Sequence, residues 1–160
     1  MGSCLATCNE TSKLKKANLK TTPKLSFDGL CAKAVLLDAY DGDTCDLALF
    51  RNDELVQIRC RLAGIDTPEI KSEHKDKAIR ARNKLISCAC NCDFTLTGDA
   101  KRPDVQAFIN ENKKIITAHC GKFDKYGRVL VTLFDKDINI NKTLLDLGFA
   151  KPYDGGKKEN

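Results

Sequence analysis

The chain has 160 residues, of which 42% are hydrophobic and 31% charged, and its net charge at pH 7 is +5. These values exclude a disordered chain and are typical of one globular domain with short tails. No apolar run approaches the ~18 residues that cross a bilayer, and we find no secretory signal peptide at the N-terminus. We therefore expect an intracellular, cytoplasmic protein whose mild positive charge favours a polyanionic partner.

Cysteine is the most over-represented residue type in this chain. Nine cysteines are an odd number, whereas a secreted disulfide framework is normally even and accompanied by a signal sequence. The alternating Cys88, Cys90 and Cys92 suggest a metal site, but structural zinc sites usually combine two separated ligand pairs, and no second pair is present. Reduced, mostly buried thiols, which behave as small hydrophobic side chains, are the preferred interpretation.

Residues 1–30 are predicted to form a basic tail. The tail lysines are Lys13, Lys15, Lys16, Lys20 and Lys24. An acylated Gly2 together with a palmitoylated Cys4 or Cys8 and these lysines would anchor the chain to a membrane. The acylation pattern requires Ser or Thr at position 6, where this chain has alanine. Membrane association and a solvated tail therefore both stay open as interpretations.

Three strands joined by turns are predicted before Pro68, which is expected to end the third strand. The first strand is apolar and stops at an Asp-Gly-Asp turn, residues 41–43. Apolar and polar residues then alternate on both sides of a second turn, at residues 52–53. Because side chains alternate between the two faces of a strand, Arg59 and Arg61 are expected to lie side by side on one face.

The remaining elements complete a small barrel. They are, in chain order, a helix from residue 72 to 89, a short strand at 94–97, a short helix at 105–112, strands at 115–120 and 129–134, and a last helix that Asn139 or Asn141 caps and Gly148 ends. We interpret residues 31–153 as the folded domain, 90–112 as an insertion and 154–160 as a flexible tail. Five short antiparallel strands most economically close into a barrel, because closure removes exposed edges. The predicted fold is α+β, mainly a five-stranded β-barrel with about three helices.

Three short polar segments carry the chemically informative residues. They are residues 41–44 (Asp-Gly-Asp-Thr), 61–69 (Arg-Leu-Ala-Gly-Ile-Asp-Thr-Pro-Glu) and 124–128 (Asp-Lys-Tyr-Gly-Arg). Asp43, Asp66 and an oxygen of Thr67 are hard ligands, which select Ca²⁺ or Mg²⁺ over zinc. Few protein ligands would leave several water molecules on the ion.

Two arginines and a glutamate complement the carboxylates. Arg61 and Arg128 could bind phosphate oxygens through paired hydrogen bonds, and Glu69 could orient or deprotonate a water that attacks phosphorus. This set is what a metal-dependent phosphodiesterase needs. Each residue taken alone has an ordinary interpretation, as a turn, a strand arginine or a surface glutamate. It is the joint pattern that favours an active site.

The three segments, in this order, resemble the signatures of the staphylococcal nuclease (thermonuclease) family, and residues 147–150 (Leu-Gly-Phe-Ala) resemble its closing helix motif. The resemblance covers roughly residues 35–153. It implies an OB-fold barrel with three helices and Ca²⁺-dependent hydrolysis of DNA, RNA or both, with 3′-phosphate ends. It also implies the site residues, which are Asp43, Asp66 and Thr67 for calcium, and Arg61, Glu69 and Arg128 for catalysis.

Weaker assignments follow from the same resemblance. Lys125 and Tyr126 match residues near the terminal phosphate of the nucleotide, and Asp41 matches a carboxylate that holds a metal-bound water. Of the two C-terminal tyrosines that pack on the nucleotide in the family, only Tyr153 has a counterpart here. The alternative function is an inactive OB-fold domain that binds nucleic acid or serves as a scaffold. Because the chain keeps the full set of catalytic and metal residues, we favour the enzyme. Separately, we expect a monomer.

Overall fold

The structure is a computed structural model, and it describes residues 4–94 and 100–155, with side chains from residue 9 onward. Its elements are α1 (Cys4–Lys16), β1 (Cys31–Ala39), β2 (Thr44–Arg51), β3 (Glu54–Leu62), β4 (Ile65–Asp66), α2 (Lys75–Cys90), α3 (Arg102–Glu111), β5 (Ile116–Phe123), β6 (Val129–Asp135), β7 (Ile138–Asn139), α4 (Ile140–Asp146) and β8 (Lys151–Pro152). The predicted strand at 94–97 and tail at 154–160 lie largely outside the described residues. Gly2 also lies outside them.

The five long strands form a closed barrel, as predicted. Antiparallel ladders join them in the order β3-β2-β1-β5-β6. Parallel pairing of Cys60 with Val129 and of Leu62 with Val131 closes the ring. The interior is filled by side chains with at most 2% exposure, among them Leu36, Leu47, Leu62 and Leu133. The expected α+β fold of OB type is therefore confirmed, and α1 brings the number of helices in the described part of the chain to four.

A two-residue turn sets the register between β2 and β3. Asn52 and Asp53 adopt φ angles of 49° and 64°, and the pair Arg51 and Glu54 flanks them. Two consecutive positive φ angles are characteristic of a type I′ turn, whose twist matches that of the strands. The resulting register places Thr44 opposite Arg61. A slip of one residue would turn Arg61 to the opposite face.

Helix α3 begins earlier than the sequence predicts. A break at Pro103 predicts a helix from residue 105, but the helix runs from Arg102 and holds this proline in its first turn. Proline is tolerated there because the first backbone N–H groups of a helix have no intrahelical partner. Buried Val105 and Ile109 attach the helix to the core, and Arg102 forms an ion pair with buried Asp38 on β1.

The third strand ends at Leu62 and not at Pro68. Gly64 adopts a φ of 76°, which favours glycine and reverses the chain into β4. This two-residue strand pairs Ile65 and Asp66 with β8. The prediction failed because a sequence pattern shows the proline but not the earlier reversal.

The N-terminal basic segment contains a helix, α1, that the sequence analysis did not predict. Its described side chains, from residue 9 to 16, are exposed. No helix in the described part of the chain combines the length and apolar character needed to cross a membrane. The cysteines between residues 31 and 120 are free thiols, and four of them are buried, namely Cys45, Cys60, Cys90 and Cys120.

Buried Asn141 fastens α4 to the end of the barrel. Its Nδ2 donates to the carbonyl oxygens of Ala63 and Val131, both at 3.0 Å, and its Oδ1 accepts from the Leu133 N–H at 3.1 Å. The helix cap is Asn139, whose Oδ1 accepts from the Lys142 N–H at 3.0 Å. Of the two predicted caps, therefore, Asn139 caps the helix, whereas Asn141 connects the helix to the barrel.

We expect Asn141→Ala to lower the free energy of unfolding by about 1–3 kcal/mol, because it leaves buried backbone groups without partners. Urea denaturation followed by circular dichroism measures the loss. Asn110→Ala, at an exposed position of α3, is the control and should change stability by less than about 0.5 kcal/mol. Equal losses in the two variants would show that Asn141 is not a structural cross-link.

Candidate active site

Asp41 organises the turn between β1 and β2. Its Oδ1 accepts hydrogen bonds from the N–H groups of Asp43 at 3.1 Å and Thr44 at 2.7 Å. Gly42 lies tightly between α2 and the segment after β4. A Cβ atom at this position would lie 2.6 Å from the Cβ of Ala81 and 2.8 Å from the Cγ2 of Thr67. The turn therefore requires glycine for space, and it holds Asp43 beside Thr67.

Arg61 lies between two carboxylates and is only 8% exposed. Its Nη1 donates to Asp43 Oδ1 at 2.6 Å, and its Nη2 donates to Asp66 Oδ1 at 2.9 Å and to the Ile65 carbonyl at 3.2 Å. Asp43 Oδ2 in turn accepts from the Thr67 N–H at 2.9 Å. Burial acts to lower the pKa of Arg61, but the two carboxylates outweigh it and raise the pKa above its usual value.

Arg128 approaches the same place from the turn between β5 and β6. Asp124 fixes it, because its Oδ2 accepts from Arg128 Nε at 2.7 Å and its Oδ1 accepts from the N–H groups of Tyr126 and Arg128 at 2.8 and 2.9 Å. Arg128 Nη1 donates to Thr44 Oγ1 at 3.0 Å, and this hydroxyl donates to Asp43 Oδ1 at 3.1 Å. A continuous hydrogen-bond network thus connects the two arginines.

The three polar segments line one open cavity of about 1030 Å³. Eight of the nine predicted site residues are in its lining: Asp41, Asp43, Arg61, Thr67, Glu69, Lys125, Tyr126 and Arg128. The ninth, Asp66, is connected to the cavity through Arg61. Cationic side chains outnumber carboxylates in the lining, with Arg59, Arg61, Lys71, Lys125 and Arg128 against Asp41, Asp43 and Glu69. The cavity is therefore suited to an anion.

All three tyrosines of the chain line this cavity. The ring of Tyr153 lies 5.2 Å from the Cζ of Arg61, and the ring of Tyr126 lies 5.5 Å from the Cζ of Arg128. Both distances are typical of cation–π contacts. Arg61 and Arg128 therefore each have an aromatic neighbour in addition to their carboxylate partners.

Sequence reasoning missed Tyr40, Arg59 and Lys71 as parts of the cavity. Two signals were present in the sequence. Tyr40 immediately precedes the Asp-Gly-Asp turn, and Arg59 shares a strand face with Arg61, which the alternation on β3 had already indicated. These signals were not sufficient, because the convergence of β1, β3 and the segment after β4 is tertiary.

The oxygen atoms near Asp43 fit a hard cation. Thr67 Oγ1 is buried without a hydrogen-bond partner among the described residues. Burial and, second, the charge of Asp43 raise the pKa of Asp41 to about 6, so the two carboxylates lie close enough to repel each other. No group of three or more His, Cys, Asp or Glu side chains in the described ranges is arranged to hold a metal. A cation here would relieve the repulsion and keep several waters of its own.

The variant Arg61→Gln would leave the buried carboxylate of Asp43 without its guanidinium partner. We expect the free energy of unfolding to fall by about 3–5 kcal/mol, the usual cost of breaking a buried ion pair. Urea denaturation in the presence of chelator measures it, with Arg80→Gln, at an exposed position of α2, as the matched control. Adding Asp43→Asn to Arg61→Gln should recover stability, since no unpaired charge is then buried. A double variant no more stable than the single one would contradict this account.

Comparison with known proteins agrees with the geometry. A family model described as staphylococcal nuclease homologue matches residues 59–160, which is more than half of the chain. The matched range begins within β3 and includes Arg61, Asp66, Thr67, Glu69 and Arg128. No match was found among curated proteins. Because this match covers more than half of the chain and the chain folds into the expected barrel, the chain belongs to the staphylococcal nuclease homologue family.

Proposed function

We propose that the protein is a Ca²⁺-dependent nuclease that hydrolyses phosphodiester bonds of DNA, RNA or both and leaves 3′-phosphate ends. The observation that carries the proposal is the convergence of Arg61, Arg128 and Glu69 on one cavity that also contains a set of oxygen ligands. Membership of the nuclease family supports the reaction class. The oxygen-only donor set supports calcium.

Asp43, Asp66 and the carbonyl of Thr67 would hold the calcium ion, and Asp41 would hold one of its waters. The bound ion would supply Lewis-acid polarisation of a phosphoryl oxygen. The described contacts already bring these ligands together, because Thr67 N–H donates to Asp43 and Arg61 joins Asp43 to Asp66.

The two arginines bind the scissile phosphate. A guanidinium offers several N–H donors in a planar fork, which matches the oxygens of a phosphate. Hydrolysis adds negative charge to phosphorus in the pentacovalent transition state, and donors that are already oriented stabilise this charge without reorganisation. Asp43 and Asp66 orient Arg61, and Asp124 orients Arg128.

Glu69 deprotonates the attacking water. The residue is exposed in the cavity lining, on the segment between β4 and α2. Its backbone is held by Ser72, whose Oγ and N–H both donate to the Glu69 carbonyl, at 2.7 and 3.0 Å. This short turn holds Glu69 in the cavity lining, where a general base must reach its water. Lys125 and Tyr126, in the turn between β5 and β6, bind the terminal phosphate of the product.

The alternative function is a noncatalytic domain that binds nucleic acid or serves as a scaffold. One observation favours it, namely that Asp43 and Asp66 each accept a hydrogen bond from the buried Arg61. Such a set of ion pairs could be purely structural. The two functions differ in whether cleavage accompanies binding, which an assay decides directly.

We expect cleavage of single-stranded DNA or RNA in Ca²⁺ and none in chelator. Mg²⁺ should bind without supporting the same rate, because it requires stricter octahedral geometry. Glu69→Gln should reduce turnover yet retain calcium binding in calorimetry, whereas Asp43→Asn should lose calcium affinity. Glu73→Gln, whose side chain is 87% exposed, is the matched control, and mass spectrometry identifies the 3′-phosphate ends. Binding without cleavage in every metal would establish the alternative function.

Arg128→Ala tests the phosphate contact separately from the fold. We expect turnover to fall about 10²–10³-fold, as when a single transition-state donor is removed. Arg128 is less buried than Arg61, with a side chain 21% exposed, so thermal unfolding should change less than in Arg61→Gln. Turnover close to that of the unmodified protein would exclude Arg128 from the mechanism.

A further inference from the structure

Tyr40 and Arg59 are among the residues of the cavity lining that lie outside the three polar segments, and neither has a role in the proposed reaction. Tyr40 is 42% exposed, and the side chain of Arg59 is 58% exposed. Both line the cavity together with Arg61 and Arg128. Together they place an exposed aromatic residue and an exposed positive charge beside the two arginines of the site.

Arg59 is held in a defined orientation. Its Nε donates to Asp46 Oδ1 at 2.9 Å and its Nη2 donates to Asp46 Oδ2 at 3.1 Å. Asp46 is 6% exposed and lies directly opposite Arg59 in the β2–β3 ladder. The guanidinium fork is planar, so the second terminal nitrogen, Nη1, points away from this carboxylate. Arg59 therefore presents a pre-oriented donor group to solvent at the cavity.

The spacing of Arg59 and Arg61 suits two consecutive phosphates. The residues are two positions apart on β3, so their side chains leave the same face about 7 Å apart. This separation is comparable with the distance between neighbouring phosphorus atoms in an extended strand of nucleic acid. A phosphate next to one that contacts Arg61 and Arg128 would then lie within reach of Arg59.

Tyr40 supplies a surface for a base. The residue directly follows β1, and its N–H donates to the Thr44 carbonyl at 2.9 Å, which fixes its backbone beside the site. Exposed aromatic rings next to a basic groove bind unpaired bases by stacking, with little dependence on sequence. The cavity, at about 1030 Å³, is at the upper end of the ~300–1,000 Å³ typical of single small-molecule sites. Its volume therefore does not restrict the site to a single nucleotide.

We propose that Tyr40 and Arg59 form a second nucleotide subsite, in which Arg59 binds the phosphate next to the scissile one and Tyr40 stacks on the adjoining base. The proposal rests on the proposed function and specifies its substrate. The preferred substrate is an unpaired strand with at least two consecutive phosphates, since a base in a duplex is not available for stacking on Tyr40.

Thymidine trinucleotides in which one of the two linkages is a neutral methylphosphonate test this subsite, because only the remaining phosphodiester can then be cleaved. For the unmodified protein, neutralising the neighbouring phosphate should raise KM about tenfold, the expected effect of losing one charge-assisted hydrogen bond. Arg59→Gln should raise KM for the all-phosphate trinucleotide similarly, with a much smaller effect on kcat. In this variant the methylphosphonate should cause no further rise.

Two further variants complete the experiment. Tyr40→Leu should raise KM for trinucleotides but not for a dinucleotide with one linkage, and Arg80→Gln should behave like the unmodified protein.

If Arg59→Gln and the unmodified protein respond equally to the methylphosphonate, the subsite is wrong while the nuclease activity stands. Fluorescence anisotropy with the same labelled trinucleotides in Ca²⁺ gives Kd when the Arg59 comparison is made in the Glu69→Gln background, where turnover is reduced. Arg59-dependent binding without cleavage would refute the proposed nuclease function and leave the subsite intact, and binding independent of Arg59 would refute the subsite.

Discussion

The buried guanidinium of Arg61 is the constraint on which the rest of the site depends. A charge that is only 8% exposed must be compensated by partners of opposite sign. The partners come from two other elements, Asp43 from the turn after β1 and Asp66 from β4. The turn is held against α2 by the close approach of Gly42 to Ala81. The fold and the site are therefore one arrangement, because the contacts that build the site also fasten three elements together.

The same arrangement has a consequence for binding under the proposed function. The oxygens that would hold a cation are those that compensate Arg61, so a cation alone competes with this guanidinium. A phosphate provides Arg61 with another anionic partner and restores the balance of charge. Cation and phosphate are then expected to strengthen each other's binding, since linkage between two ligands is reciprocal. Asp124 keeps Arg128 outside this competition.

The sequence predicts most of this protein because its main signals are local. Alternation along β3 identified the face of Arg61, and the residues at 52–53 identified the hairpin whose register brings Thr44 opposite it. The two wrong predictions, the end of β3 and the start of α3, have a different origin. The early end of β3 depends on a positive φ at Gly64, and the early start of α3 depends on where Pro103 falls within a helical turn. Neither property can be derived from hydrophobic periodicity.

Arg59 and Arg61 differ in a property that the structure of the cavity shows and the sequence pattern does not. Both arginines lie on one face of β3, and the alternation pattern therefore does not distinguish them. Both also contact aspartates. Burial distinguishes them. Arg61 has carboxylates on two sides and little exposure, and its removal therefore disturbs the fold as well as any chemistry. Arg59 has one buried carboxylate behind it and an exposed head group, so it can contact a ligand while the barrel remains unchanged. A residue of this kind can contact a ligand while it keeps its own carboxylate partner.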